Sequence, residues 1–336
     1  MSGRDRIVGL VRGEPADVVP CMPIAMMFAG DFAGVRYLDY VTDHRVQAAA
    51  QRKLAEAFDL DHVSVISDPC CETADCGSGV RFFDDAPPAA DEEHSLLRDP
   101  VALASLRVPD PHEGRMGNRV RAVRELAKSV GREKLVEGWI EGPCGEAANL
   151  RGINRLMLDF GDDPAFVHEL VEFVVEMETA FGLAQVEAGA ELIGMGDPAS
   201  SLIGPALYEE FVFPAAKRVV AALHDAGALC RIHICGNSRA ILPLVARLGA
   251  EIVDVDSLVP MEEARRAVGD EQVLCGNLDP VRAIHDGRPE DILPALAECH
   301  RAAGPRHVVG AGCEIPRGTP LENLRTMVQF AHATPA

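Results

Sequence analysis

His233 and Cys235 stand two residues apart in "RIHICGNS" (231–238), a short β-branched run that stops at a glycine. On a strand, side chains two apart project to the same face, so the imidazole and the thiol become neighbours. Arg231 falls on that face too, one step deeper. Imidazole nitrogen and thiolate sulfur are donors that zinc prefers, and a site with three protein ligands leaves one position open for substrate. A third donor of suitable type stands far along the chain: Cys313 in "GAGCEIP", at the end of another β-branched run. Glycines at 236, 310 and 312 remove steric bulk around such a centre. An isolated H-x-C is also what two packed core residues produce, so the ends of the other strands have to be weighed with it.

The elements that would position these residues alternate. Short β-branched runs lie at 18–26, 62–68, 134–141, 191–197, 230–235, 251–256, 272–278 and 307–313. Helical periodicity fills 44–58, 115–130, 163–189, 205–226, 237–248, 260–268, 288–303 and 319–333. Such alternation predicts parallel strands joined by crossover helices. Eight repeats predict an α/β fold, a single (β/α)8 TIM barrel. A helix near 4–12 and a hairpin excursion within 77–114, after the second strand, account for the surplus length. No composition break or low-complexity tract divides the chain, so residues 1–336 read as one domain. An open doubly wound sheet is the other candidate, but neither G-x-G-x-x-G nor a P-loop follows an early strand.

Barrel enzymes carry their chemistry at the C-terminal ends of the strands. Here those ends are Asp68, Glu141, Asp197, His233 with Cys235, Asp256, Asn277 with Asp279, and Cys313. Packing does not favour so many polar groups at strand ends, because buried polar atoms cost free energy unless paired. Asp254 and Asp256 share a face of the next strand, which lets Asp254 pair with Arg231 lower in the barrel. Asp256 is a candidate fourth ligand or a support for the ligands. Asp68, Asp197, Asn277 and Asp279 are candidates for binding substrate or for catalysis. Three of them also have a plainer reading: Asp68 as a cap, Asp197 as the start of a turn with Pro198, Asp279 as a helix N-cap before Pro280.

The bulk numbers narrow the function classes. A net charge of −20 offers no basic stripe for phosphates, which argues against nucleic-acid binding. No run approaches the roughly 18 apolar residues of a membrane span, and the start "MSGRDRIVGLVRGEPADVVP" is unlike a secretory signal. A cytoplasmic protein is expected, and there ten cysteines read as packed, metal-bound or catalytic rather than disulfide-paired. Cys21, Cys230, Cys275 and Cys299 sit in apolar surroundings. Cys70, Cys71 and Cys76, in "DPCCETADCG", match no zinc spacing, and their role stays open.

At "HICGNSRAILPLVARLGAEIVDVDS", "VLCGNLDP" and "GAGCEIPRGTPLENL" the sequence resembles the uroporphyrinogen decarboxylase superfamily, and within it the methylcobamide:coenzyme M methyltransferase branch. The likeness extends through "VVPCMPIA", "SVISDP" and "GDPASSLIGPALYEEFVFPAAKRVV". It implies a (β/α)8 barrel and, carried over residue by residue, zinc held by His233, Cys235 and Cys313. It further implies methyl transfer from a methylated corrinoid, carried as co-substrate by a separate corrinoid protein, to a small thiol such as coenzyme M. Cobalamin-independent methionine synthases are similar at a greater distance and imply an acidic ligand, for which Asp256 is the candidate. A homodimer is compatible with this reading.

The alternatives are a decarboxylase-like lyase, or a methyltransferase of the same family with another donor or acceptor. Decarboxylases resemble the chain at "GNLDP" and at Ser67-Asp68, but they imply an arginine-rich segment after the first strand. Here "PIAMMFAGDFAGVRYLDY" holds Arg36 alone. A polycarboxylate would find few cations there.

Overall fold

The computed structural model describes all residues, 1–336. Seven parallel strands form one sheet: β1 (His62–Ser64), β2 (Leu135–Glu141), β3 (Leu192–Gly196), β4 (Leu229–Ile234), β5 (Ile252–Val255), β6 (Val273–Cys275) and β7 (His307–Val308). Each pairs with its predecessor in chain order, the arrangement of sequential parallel strands joined by crossovers. The strands are buried on both faces because helices cover one side and the curled interior, which includes the charged Glu137, Arg231 and Asp254, fills the other.

The expected first strand at 18–26 is not a regular strand. Only Cys21 forms a bridge, parallel to Val309. Pro20 and Pro23 lack the N–H that a ladder needs. The stretch nevertheless lies between the two edges of the sheet. Met22 N donates to Val309 O and Val309 N to Pro20 O, both at 2.9 Å, while Asp61 N donates to Cys21 O at 3.3 Å. The sheet is therefore curled in the TIM-barrel manner, with an irregular segment at its seam.

Helix α1 (Gly3–Arg12) caps the bottom. Its Ile7 and Leu10 pack with Met22 of the seam segment and with Leu135, Leu192, Ile252, Val273 and Val308 of the strands. Ser2 caps the helix by accepting from Asp5 N, and Gly13 ends it in the left-handed region. After β1 a short antiparallel hairpin pairs Val80–Arg81 with Ala89–Ala90. Helix α2 (Gly114–Val130) then leads to β2.

Two helices between β2 and Pro164–Ala188 have no counterpart in the sequence reading: Pro143–Arg151 and Ile153–Asp162. The first begins on a proline already fixed for a helical start and ends at Gly152, where φ is +90°. Its apolar residues show little helical periodicity because nearly the whole helix is buried. The expected helix over 205–226 divides at Tyr208–Val212, a wider π turn before Phe213–Asp225. The expected helix over 237–248 shrinks to Leu242–Ala246.

Candidate metal centre

β4 carries His233 to its penultimate position, and Cys235 follows directly at the strand's end. His233 Nε2 lies 3.1 Å from Cys235 Sγ, and Cys235 Sγ lies 3.8 Å from Cys313 Sγ. All three donor atoms lie within 4.8 Å of one another. Two glycines make this approach feasible. Gly236 turns the chain at φ +89°, and a Cβ there would stand 2.9 Å from Ser201 Oγ. At Gly312 a Cβ would come within 2.3 Å of Ser257 N, so the loop that carries Cys313 cannot hold a side chain there without moving.

A buried ion network stands beneath the three donors. Asp254 Oδ2 lies 2.7 Å from Arg231 Nη2, the pairing expected for the lower barrel. The same oxygen lies 3.1 Å from His233 Nδ1, though not aligned as a regular hydrogen bond. Arg231 Nη1 donates to Glu137 Oε1 at 3.0 Å. Burial pushes the His233 imidazole down, but Asp254 outweighs it and raises the ring to about 10. The hydrogen bond from Cys235, with His233 beside it, holds the Cys313 thiol at about 5 against burial. Cys235 is pushed up, first by the Cys313 thiolate it faces and then by burial. One thiolate is thus favoured before any ion is present, on the atom set best suited to bind one.

The donors open onto a cavity of about 160 Å³ lined also by Ile24, Ile66, Trp139, Asp68, Glu141 and Glu314. Trp139 Nε1 donates to Glu141 Oε1 at 3.3 Å. Glu314 Oε1 accepts from Met27 N at 2.8 Å, and burial raises its carboxyl to about 7. Burial, followed by repulsion from Glu72, raises Glu141 well above the usual carboxylate range.

The other expected residues separate into two groups. Asp68 reaches the cavity wall, its two oxygens taken by Arg115 Nη1 and Nη2 at 2.9 and 2.6 Å. Burial pushes Asp68 up, but Arg115 and Arg119 bring it below its ordinary value. Asp256 accepts from Gly236 N with Oδ2 and Leu258 N with Oδ1, both at 2.8 Å, and so fixes the turn after Cys235. Asn277 Nδ2 donates to Asp256 O and Val259 O at 3.1 and 2.6 Å. Asp197 is buried between two residues of the cavity lining, Gly196 and Pro198, without lining it itself, and accepts from Gly145 N at 2.6 Å and Ser200 Oγ at 2.8 Å. Asp279 lies away from the cavity and caps the following turn through Val281 N and Arg282 N. Cys70, Cys71 and Cys76 are free thiols raised by burial, and they assemble no three-donor group.

The sequence reading did not single out Trp139, Glu314, Arg115 or Arg119 as parts of this region. Glu314 adjoins Cys313 in "GCEIP", a signal of place that its type alone does not disclose. The arginines come from α2, whose helical periodicity says nothing about reaching a strand end. A second trio joins His224, in the last turn of the helix Phe213–Asp225, with Cys230 in β4 and Glu251 just before β5, and a His224–Glu251 pair at 3.2 Å accounts for its closeness.

The donor set fits a zinc ion. One nitrogen and two sulfurs, bonding at roughly 2.0–2.3 Å in a tetrahedral shell, would stand about 3.5 Å (N to S) and about 3.8 Å (S to S) apart; the two sulfurs lie at 3.8 Å, and the His233–Cys235 separation of 3.1 Å is a few tenths shorter than its counterpart. The cavity adjoins the same three residues, leaving a side for substrate.

Comparison with known proteins agrees with the fold. The family model described as Uroporphyrinogen decarboxylase (URO-D) matches residues 2–334. A Methanosarcina mazei protein named Methylcobamide:CoM methyltransferase MtbA is 29% identical over 344 residues, covering 98% of this chain and 97% of its own. A Myxococcus xanthus Uroporphyrinogen decarboxylase is 28% identical over 349 residues, covering 98% and 96%. The solved structure of a methyltransferase from Methanosarcina mazei superposes with a TM-score of 0.87 at 21% identity, covering 99% of both chains.

Proposed function

This chain belongs to the uroporphyrinogen decarboxylase family, and within it we propose that it is a methyltransferase moving a methyl group from a methylated corrinoid to a zinc-activated thiol. The observation that carries the reading is the His233–Cys235–Cys313 donor set opening onto a mostly apolar cavity. The names of the methylcobamide:CoM methyltransferase relatives supply the donor and the reaction type. A single domain spanning 1–336, read as a (β/α)8 barrel with Pro20–Met22 as its eighth stave, would carry the whole reaction.

Zinc, when bound, supplies a Lewis acid that lowers the pKa of a substrate thiol and so yields the nucleophile near neutral pH. The chain's own residues do the rest. His233, Cys235 and Cys313 would hold the ion, Asp254 orients the imidazole, and Asp256 secures the turn that presents Cys235. Ile24, Ile66 and Trp139 supply an apolar wall beside the donors. The methylated corrinoid would approach from the strand-end face, held by a partner protein.

A decarboxylase-like lyase is the other reading within the family. Against it stands the segment after Pro23, which forms two helices, Met27–Ala33 and Tyr37–Thr42. Its one arginine, Arg36, is exposed and paired with Asp39 at 2.8 Å. The cavity lining holds no lysine or arginine for a polycarboxylate. The test is methyl transfer from methylcobalamin to a thiol by zinc-loaded protein, beside turnover of uroporphyrinogen. Thiol methylation lost in Cys313→Ser supports the proposal, and uroporphyrinogen turnover without thiol methylation would overturn it.

A further inference from the structure

Beside the three donors, the cavity wall is apolar. Ile24, Ile66 and Trp139 pack as one cluster with Met26 against it, and Pro69 and Pro198 complete the wall. The only ionisable side chains on the lining besides the donors are the carboxyls of Asp68, Glu141 and Glu314. In either protonation state these bring no positive charge.

The guanidinium groups that act on the lining carboxyls are engaged elsewhere or by those carboxyls, Arg317 by Asp31 and Asp85. Arg115 places two N–H groups on the two oxygens of Asp68. Arg119 is fully buried and gives Nη2 to Ser67 Oγ at 2.9 Å, with Nη1 3.7 Å from Glu72. An anionic substituent carried into this space would give up water for carboxyl groups and hydrocarbon with no side-chain cation to balance it, an arrangement that costs more than burying an apolar group.

Resting on the methyl-transfer reading, we propose that the acceptor is a small thiol with an uncharged, apolar tail, and that this cavity selects against anionic tails such as a sulfonate. The wall of Ile24, Met26, Ile66 and Trp139 is then the specificity-determining surface. The donors take the sulfur, the wall takes the tail, and the missing cation removes the anionic competitor. Discrimination of this kind is large where an unpaired polar or charged group is forced into an unsuited site and small where a methylene is exchanged.

The experiment compares 1-propanethiol, 2-aminoethanethiol and 2-mercaptoethanesulfonate as acceptors, with zinc-loaded protein and methylcobalamin as donor. The expected result is a kcat/KM for propanethiol at least about tenfold above the sulfonate, with the amine below propanethiol. A sulfonate thiol used equally well or better would overturn the proposal, and so would preference for the amine. The same three thiols are titrated into cobalt(II)-loaded protein and followed by absorbance. Failure of methyl transfer with every thiol would sink the methyltransferase reading, while the tail preference is still decided by the order of these affinities. Tighter propanethiol binding by about tenfold sustains the preference; an equal or reversed order overturns it. Met26→Lys, at a half-buried position of the wall, should improve the sulfonate relative to propanethiol by at least about tenfold in the same titration. No change in that ratio would show that the wall does not set the preference.

Discussion

Asp254 Oδ2 stands 3.1 Å from His233 Nδ1 on the neighbouring strand, and the same oxygen lies 2.7 Å from Arg231 Nη2. One carboxylate therefore serves two purposes. It stands behind the imidazole, whose Nε2 faces Cys235, and it neutralises a guanidinium that is fully buried.

Asp254→Asn should weaken metal binding by about 10–100-fold, as loss of a carboxylate behind a ligating histidine generally does. The same change leaves Arg231 with Glu137 as its one acidic partner, so stability should fall by about 3–5 kcal/mol. Chelator competition and urea unfolding measure the two effects separately. Unaltered metal affinity in a destabilised variant would show that Asp254 serves the arginine alone.

Metal analysis of purified protein should find about one zinc per chain, falling to a trace in the Cys235→Ser/Cys313→Ser double variant. Cobalt(II) in place of zinc should show intense thiolate charge-transfer absorption that halves in either single variant. Asp256→Asn should keep the metal and slow the transfer, because both carboxylate oxygens already hold backbone amides at 2.8 Å. Loss of metal in that variant would make Asp256 a ligand instead.

The contrast between these two aspartates shows what was legible in the sequence. Strand periodicity of two placed His233 with Cys235 and Arg231 with Asp254, because alternation is a local property of an extended chain. It also made Asp256 a natural partner for the donors. Whether its oxygens face an ion or the amides of Gly236 and Leu258 depends on how a turn closes, and no spacing encodes that. The parallel strand order was legible from alternating elements, whereas the irregular seam at Pro20–Met22 was masked by its β-branched, apolar neighbours. Arg115 and Glu314 reach the site from a helix and a loop. Their arrival is a tertiary event that periodicity does not record.

Asp197 should give the protein a pH dependence of definite sign. Burial raises its carboxyl to about 6 from an ordinary 3.8, against the hydrogen bonds from Ser200 and Gly145. Between those values the folded chain holds a proton that the unfolded chain has released. This contribution is therefore fully present below about pH 4 and is lost as pH rises to 6, an effect of order 3 kcal/mol. Asp197→Asn removes that slope. Urea midpoints from pH 4 to 7 should show the penalty of the variant shrinking as pH rises, and a constant penalty would refute the assignment.

Trp139 is the only tryptophan in the chain, and it lines the cavity with its indole over two glycines. A methyl group added at Gly194 would lie 2.3 Å from Trp139 Cε3, and one at Gly196 would lie 2.9 Å from Cζ2. Both contacts are closer than atoms approach without displacement, so Gly196→Ala must push the ring into the cavity or out of its bond with Glu141. Overpacking of this kind should cost about 1–3 kcal/mol. The consequence for function follows from position: a shifted wall constricts the place of the substrate's tail while the metal donors stay where they are. Gly196→Ala should then raise KM for the thiol several-fold with metal content unchanged. Tryptophan emission, arising from this one ring, should change on adding a thiol to the zinc-loaded protein and should already be shifted in the variant. Emission indifferent to both would mean that the ring does not face the substrate, and the apolar wall would lose its largest member.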